Sequence, residues 1–303
     1  MSIPVLFLII AATGIGSKVF SKLCSNMLSE NSVAKYSLVL IVNSLVACLF
    51  FAISGGFKID VNTVTLLYSI AYAAIVAVSI IAGFVVYRYA SISNVNVVSS
   101  SCSMVCTAAV GWIFFSEKVE VLNVIRLVIM VFAIVCVLFD QKNKETAIAS
   151  PTERKKGNIF SLAVIIAVIT ACGCLNTVVL KAFSISKEVT DENSFFFFTN
   201  VILLIAALIV FAAVCLRKRG EFRASVELLR PKRLISIGGN TVCSNISSLV
   251  SVLIVARMDV SIYSPISSAL GIIVGLVGSL IFRERLGVFA YIAVAVACVA
   301  LII

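Results

Sequence analysis

Residues 87–120, YRYASISNVNVVSSSCSMVCTAAVGWIFFSEKVE, have a counterpart near the C-terminus in residues 254–287, IVARMDVSIYSPISSALGIIVGLVGSLIFRERLG. The two stretches align without a gap at a constant offset of 167 residues, the separation of Glu117 from Glu284. Ser100 meets Ser267, Ser101 meets Ser268, Gly111 meets Gly278, Phe115 meets Phe282 and Lys118 meets Arg285. The register runs upstream as well, pairing Leu67, Ser69 and Ile70 with Leu234, Ser236 and Ile237. Matches of Ile and Leu between apolar segments carry little weight. A charged pair, a glycine and a serine pair held in one register do not arise easily by chance, so the chain reads as an internal duplication.

What is duplicated is apolar. Of 303 residues, 61% are hydrophobic and 13% charged, with a mean hydropathy of +1.17. A soluble domain has roughly 45–50% apolar and about 25% charged residues, which places this chain among integral membrane proteins. Its net charge of +10 would point to nucleic acid in a soluble chain. Here the basic residues crowd into loops, where anionic lipid and the positive-inside rule account for them, and no nucleic-acid partner is expected. The ten cysteines lie almost entirely in apolar runs and behave there as small hydrophobes. With no histidine and no second cysteine pair at ligand spacing, Cys172 and Cys174 do not make a metal site, and neither metal nor cofactor is expected.

A bilayer core of about 30 Å needs roughly 20 apolar residues per helix. Ten such segments can be cut, at 3–24, 33–54, 64–88, 92–115 and 120–140, then at 159–183, 193–216, 234–256, 260–282 and 286–303. The expected fold is an all-α membrane protein with ten transmembrane helices as two inverted five-helix repeats. The repeats span 1–140 and 159–303, joined by a basic linker at 141–158. Five is odd, so the second repeat must insert upside down relative to the first, the plan of secondary transporters with a site near the midplane.

On these residues the chain resembles the drug/metabolite transporter superfamily, in its EamA-like branch. The resemblance covers essentially the whole length. It rests on Lys22 late in the first segment, on Tyr87-Arg88-Tyr89-Ala90-Ser91-Ile92-Ser93 at the entry to the fourth, and on the small residues from Ser99 to Ser103. Ser116-Glu117-Lys118-Val119 stands where that pattern has Gly-Glu-Arg/Lys-hydrophobic; the second half supplies Lys181, Ser267-Ser268 and Arg283-Glu284-Arg285-Leu286. The sequence departs from the pattern at Met104 and Gly271, where the family usually carries proline, although Pro265 lies six residues before the second of these. The resemblance implies a transporter that exports amino acids or similar metabolites, with sugar-phosphate or nucleotide-sugar exchange as the alternative in the same superfamily.

The residues themselves nominate a lining. Asn43 and Asn200 occupy corresponding segments, and Lys22 falls on Lys181 at an offset of 159 that also pairs Gly14 with Gly173. Asn96 and Ser100 belong to one polar stripe of the fourth segment, and Asn240 and Ser244 to one of the eighth. Asn176, Tyr263 and Ser267 complete the set of candidate substrate-binding residues. An asparagine in lipid needs a partner or a cavity. The lysines admit two readings: bordering the cavity, or snorkelling to headgroups from near the helix ends. Tyr36, Tyr68, Tyr72 and Tyr87 are available as cavity walls, and Gly111, Gly271, Gly275 and Gly278 read as helix-packing positions. Glu117 and Glu284, at segment junctions, read as helix-start residues rather than acids in a reaction.

A lining of amides and hydroxyls suits small polar, neutral or zwitterionic solutes moved by alternating access. An intramembrane enzyme would need a histidine, a buried acid or a metal-bound water. The sequence offers no histidine and no carboxylate near the middle of a segment, so the chain is not expected to be an enzyme and no catalytic residue is nominated. Half of the 24 basic residues lie in the loops 141–158 and 217–233, which the charge bias would make cytoplasmic. The expected setting is the cell membrane, as a multi-pass protein of a bacterial plasma membrane, with the lipid bilayer and a small-molecule substrate as partners and a monomer or homodimer as the assembly.

Overall fold

The computed structural model describes residues 2–27, 32–86, 92–118, 159–186, 191–217, 222 and 225–281, with parts of 121–136 and 288–299. Every regular element among the described residues is helical. Eight long helices follow one another: α1 (Ile3–Met27), α2 (Val33–Ser54), α3 (Thr63–Val86), α4 (Ile92–Phe114), α5 (Ile159–Ile185), α6 (Glu192–Arg217), α7 (Pro231–Val255) and α8 (Val260–Ile281). A single 3-10 turn, Glu227–Leu229, precedes α7. These bounds agree with eight of the expected segments to within three residues. The expected segment at 120–140 is described in part, as helix, the one at 286–303 in smaller part, and the basic linker at 141–158 lies wholly outside the described residues.

Among the described residues, four helices are long and apolar enough to cross a membrane: Val33–Ser54, Ala167–Ile185, Glu192–Arg217 and Arg233–Val255. Shorter apolar helical stretches run through Ile3–Ser17, Thr63–Ser79, Ser103–Phe114 and Val260–Val274.

The helix ends follow local chemistry. At the start of α2, Ser32 is extended and its hydroxyl accepts the Lys35 N–H at 3.4 Å. At its finish, Gly56 adopts φ +62°, its N–H donates to the Ile53 carbonyl at 3.0 Å, and the Phe57 N–H donates to the Ala52 carbonyl at 2.7 Å. That pair of bonds is a Schellman motif, which needs a left-handed residue where glycine sits. In α6, Glu192 opens the first turn and Arg217 closes the last, each opposite in sign to the dipole end it faces. Pro265 lies inside α8 and is buried.

The chain forms two compact units, and neither is a sequence half. The first comprises Met1–Ala74 and Phe183–Leu253, the second Ile75–Ala182 and Ile254–Ile303. Each therefore draws on both copies of the duplication.

In the first unit α2 packs along α6. The core there is aromatic and comes from the run Phe195-Phe196. Phe195 stacks on Phe183 with centroids 4.3 Å apart, and Phe196 stacks on Phe51 at 5.0 Å. Tyr72 tilts against Phe195 at 5.4 Å, and Tyr68 meets Phe183 edge-on at 6.0 Å. These two tyrosines, expected as cavity walls, belong to the aromatic core. Hydroxyls knit the same region: Ser69 Oγ donates to the Phe195 carbonyl at 3.0 Å, and Ser194 Oγ accepts the Asp60 N–H at 3.1 Å.

In the second unit α4 packs along α8. Met104, Ala108, Val260, Ala269 and Val274 are buried, and Ser264 Oγ donates across to the Met104 carbonyl at 3.2 Å. Gly111 is buried at a close approach, as its packing role requires. Gly271 is different: it is exposed, and an added Cβ would meet nothing within 4 Å among the described residues. The reading of Gly271 as a packing glycine is corrected to this extent, that no described residue crowds its face.

Gly56→Ala should lower stability by about 1 kcal/mol, because an L-residue held in the left-handed region costs roughly 1–2 kcal/mol. Thermal unfolding of the purified protein in detergent checks it. The Cβ has open space, so a null result would mean that the backbone relaxes there.

Candidate functional site

An amide side chain in an apolar helix must satisfy a carbonyl and an NH2, and leaving either buried without a partner costs about 1–3 kcal/mol. The nominated asparagines meet this requirement in different ways, and the differences define the site.

In the first unit the polar centre is on α7. Ser17 of α1 donates its hydroxyl to Asn240 Oδ1 at 2.9 Å. The next residue, Thr241, donates to Asn43 Oδ1 of α2 and also lies 2.8 Å from the Ile237 carbonyl one turn earlier. Successive helical residues point about 100° apart, so α7 uses one polar residue toward α1 and its neighbour toward α2. The approach of α1 is tight. A Cβ at Gly16 would lie 2.9 Å from Cys243 Sγ, and one at Gly239 would lie 2.8 Å from the Phe20 ring. Ser44 Oγ and Asn245 Nδ2 are buried in this unit and have no hydrogen-bond partner among the described residues.

Asn200, expected as the counterpart of Asn43, behaves differently. Its Nδ2 donates to the Phe196 carbonyl of its own helix at 2.8 Å. Ser244 is exposed, and its backbone carbonyl accepts Ser248 Oγ at 3.0 Å. Lys22 lies on α1, with its side chain outside the described residues.

In the second unit the candidates are Asn96, Ser100, Asn176, Lys181, Tyr263 and Ser267. Asn176 Oδ1 is buried with no partner among the described residues, and so is Thr170 Oγ1 on the same helix. Around them α5 runs close to α4: a Cβ at Gly173 would lie 2.9 Å from Ser103 Oγ. Tyr263 is buried and Ser267 half-buried on α8. Asn96 and Ser100 fall on α4, with side chains outside the described residues.

Lys181 is 8% exposed, and its ammonium donates to the Val255 and Met258 carbonyls, each at 3.0 Å. Neither sequence reading specified these two carbonyl partners. Glu117 does hold a helix start, as expected. Its Oε1 accepts the Val260 N–H at 2.7 Å and its Oε2 the Ser261 N–H at 2.8 Å. The helix it caps is α8, remote in sequence, rather than the segment that follows it. Glu284 lies outside the described residues.

The nominated residues thus divide between the two units: Lys22, Asn43, Asn200, Asn240 and Ser244 in one, the other six in the second. Thr241 and Asn245 were missed. Thr241 lies one position off the stripe through Asn240 and Ser244, and Asn245 five residues after Asn240, so a search at helical spacing passes over both. Their signal is polarity alone in an otherwise apolar helix.

No family model matches the chain, and no curated protein matches it. A solved crystal structure of a protein superposes on 99% of this chain and 96% of its own length, with a TM-score of 0.65 and 12% sequence identity. At that identity the likeness is one of fold, and it runs along essentially the whole chain.

The Asn43–Thr241 bond lends itself to a double-mutant cycle with Asn43→Ala and Thr241→Val. Interhelical hydrogen bonds in membrane proteins average about 0.6 kcal/mol and reach roughly 1.7, and the coupling energy should fall in that range. A coupling of zero would show that the pair does not hold α2 to α7.

Proposed function

We propose that this chain is a multi-pass transporter of a cell membrane, with ten transmembrane helices arranged as two inverted five-helix repeats, moving small polar metabolites by alternating access. The solutes are neutral or zwitterionic, amino acids or close analogues, and export is the direction that the resemblance to the drug/metabolite transporter superfamily implies. The observation that carries this reading is the set of amides inside apolar helices. Asn43 and Asn240 each accept, through Oδ1, a hydroxyl from a neighbouring helix, while Asn176 Oδ1 and Asn245 Nδ2 are buried without a hydrogen-bond partner among the described residues. Groups of this kind are costly in hydrocarbon and mark solute pathways in membrane proteins. Amides offer both donors and acceptors to an ammonium, a carboxylate or a hydroxyl without adding net charge. The duplication read in the sequence is in keeping with a repeat-built carrier.

The sugar-phosphate alternative needs cations for the phosphate. Lys181 is one of its candidates, and its ammonium already meets two carbonyls. That favours the neutral or zwitterionic class. The substrate meets an amide lining, binds, and is released on the other side as the helices rearrange; no bond is made or broken.

The test uses purified protein in liposomes, with counterflow of labelled L-threonine, L-alanine, glucose 6-phosphate and uridine measured separately. At least one of the two amino acids should exchange, and Asn240→Ala should slow that exchange by about tenfold, as expected for loss of a buried polar contact. The same amino acid should raise the unfolding temperature, since a ligand at 100 times its Kd stabilises by about 2.7 kcal/mol. Exchange of glucose 6-phosphate alone would replace the amino-acid reading with the sugar-phosphate one. Exchange of none of the four would remove the transport reading for these solute classes.

A further inference from the structure

The turn that joins α7 to α8 is gripped by two opposite charges. On one side, Lys181 Nζ donates to the carbonyls of Val255 and Met258, each at 3.0 Å. On the other, the Glu117 carboxylate accepts the N–H groups of Val260 and Ser261, at 2.7 and 2.8 Å. The signs match the helix ends. The C-terminus of α7 presents unpaired carbonyls and the negative end of its dipole, while the N-terminus of α8 presents unpaired N–H groups and the positive end. Between the two grips the chain is held by local bonds: the Arg257 N–H donates to the Ile254 carbonyl at 2.9 Å, and the Tyr263 N–H to the Asp259 carbonyl at 2.9 Å.

Both grips are built for the purpose. Ser116 adopts φ +51°, which folds the chain back past the end of α4 and returns Glu117 to α8. The Glu117 carboxylate reaches its seat across Gly111, where a Cβ would lie 2.5 Å from Oε2 and 3.3 Å from the Ser261 nitrogen. Only a residue without a side chain leaves that room. Lys181 occupies a particular level of the fold. The chain passes from one compact unit to the other between Ala182 and Phe183 on α5, and between Leu253 and Ile254 on α7. Lys181 is one residue short of the first crossing, and Val255 is one residue past the second. Its ammonium ties α5 to the end of α7 within the second unit.

We propose that Lys181 and Glu117 are positioning residues that make the α7–α8 turn a stiff elbow, so that displacement of α7 is passed on to α8 instead of being absorbed in the turn. The inference rests on the transporter reading for its purpose, and on the four hydrogen bonds for its mechanics. An ungripped turn of this length would act as a soft joint, because its own bonds are few and Ala256, Arg257 and Asp259 within it are exposed. Lys181 on this account acts on the helices and not on the solute.

Two measurements test it, and they fail separately. The first is hydrogen–deuterium exchange of the full chain in nanodiscs. Lys181→Met should speed exchange across 256–261 by about tenfold, the scale of losing hydrogen bonds to a charged group, while Lys181→Arg should leave it near the wild-type rate. Glu117→Ala should do the same at Val260 and Ser261. So should Gly111→Ala, which keeps the carboxylate but pushes it from its seat. Unchanged exchange in Lys181→Met and Gly111→Ala would overturn the elbow. The second is L-alanine or L-threonine counterflow in liposomes, using whichever wild type exchanges. In Lys181→Met the maximal rate should fall about tenfold with the half-saturating concentration within about twofold, and Lys181→Arg should restore it. A raised half-saturating concentration at unchanged maximal rate would make Lys181 a substrate ligand and overturn its positioning role. If wild type exchanges neither solute, the transport reading falls, and the exchange experiment alone decides whether the turn is stiff.

Discussion

A backbone or side-chain polar atom packed among apolar helices has no water to fall back on, and the arrangement of this protein depends on meeting that demand from within. The helix ends show it first. The last carbonyls of α2 are taken by the turn at Gly56, those at the end of α7 by Lys181, and the first N–H groups of α8 by Glu117. Each solution brings together parts of the chain that the sequence keeps apart, except at Gly56, where four local residues suffice. In this way the same requirement that shapes helix ends also fixes which helices touch.

The two compact units solve their cores differently. One uses the Phe195-Phe196 pair with Phe51, Phe183, Tyr68 and Tyr72, large rings whose stacked and edge-on contacts fill space between α2, α3 and α6. The other brings α4 against α8 over Met104, Ala108 and Ala269, with Ser264 bonded to a facing carbonyl. Small residues allow close helix approach, and close approach is what places the Glu117 carboxylate within reach of the α8 N-terminus. The aromatic core and the small-residue seam also explain why the polar positions differ between the units. Asn240 and Thr241 bridge to separate helices, whereas Asn176 Oδ1 and Thr170 Oγ1 have no hydrogen-bond partner among the described residues.

Much of the candidate site was legible in the sequence as residue type and little of it as geometry. Asn43 and Asn240 stand out because an amide in a run of Val, Ile and Leu is expensive wherever it points, and both are found bonded between helices. Lys181 stands out for the same reason, yet its two carbonyl partners belong to a turn that lies 74 residues away for Val255 and 77 for Met258. No spacing rule reaches that far. Gly271 was misread because a glycine looks the same at a crowded crossing and on an open face; only the neighbours distinguish them. Asn200 and Asn43 look like equivalents in the duplication, but one bonds its own helix and the other a neighbour.

The sequence by itself determined eight of the helices to within three residues, because about 20 apolar residues bounded by polar or charged ones have one economical backbone in an apolar medium. It also showed two stretches matching at one offset and which polar side chains would be costly to bury. Tertiary structure decided how those costs are met. It put Thr241 opposite Asn43, Ser17 opposite Asn240, Glu117 at a helix start that is not its own, and Lys181 on the end of α7. It also divided the chain into units that mix the two copies instead of keeping them whole. The reason is physical: periodicity along a chain sets what each helix can present, whereas a hydrogen bond or a close contact depends on which surface arrives at 3 Å, and that is settled only when all the helices pack.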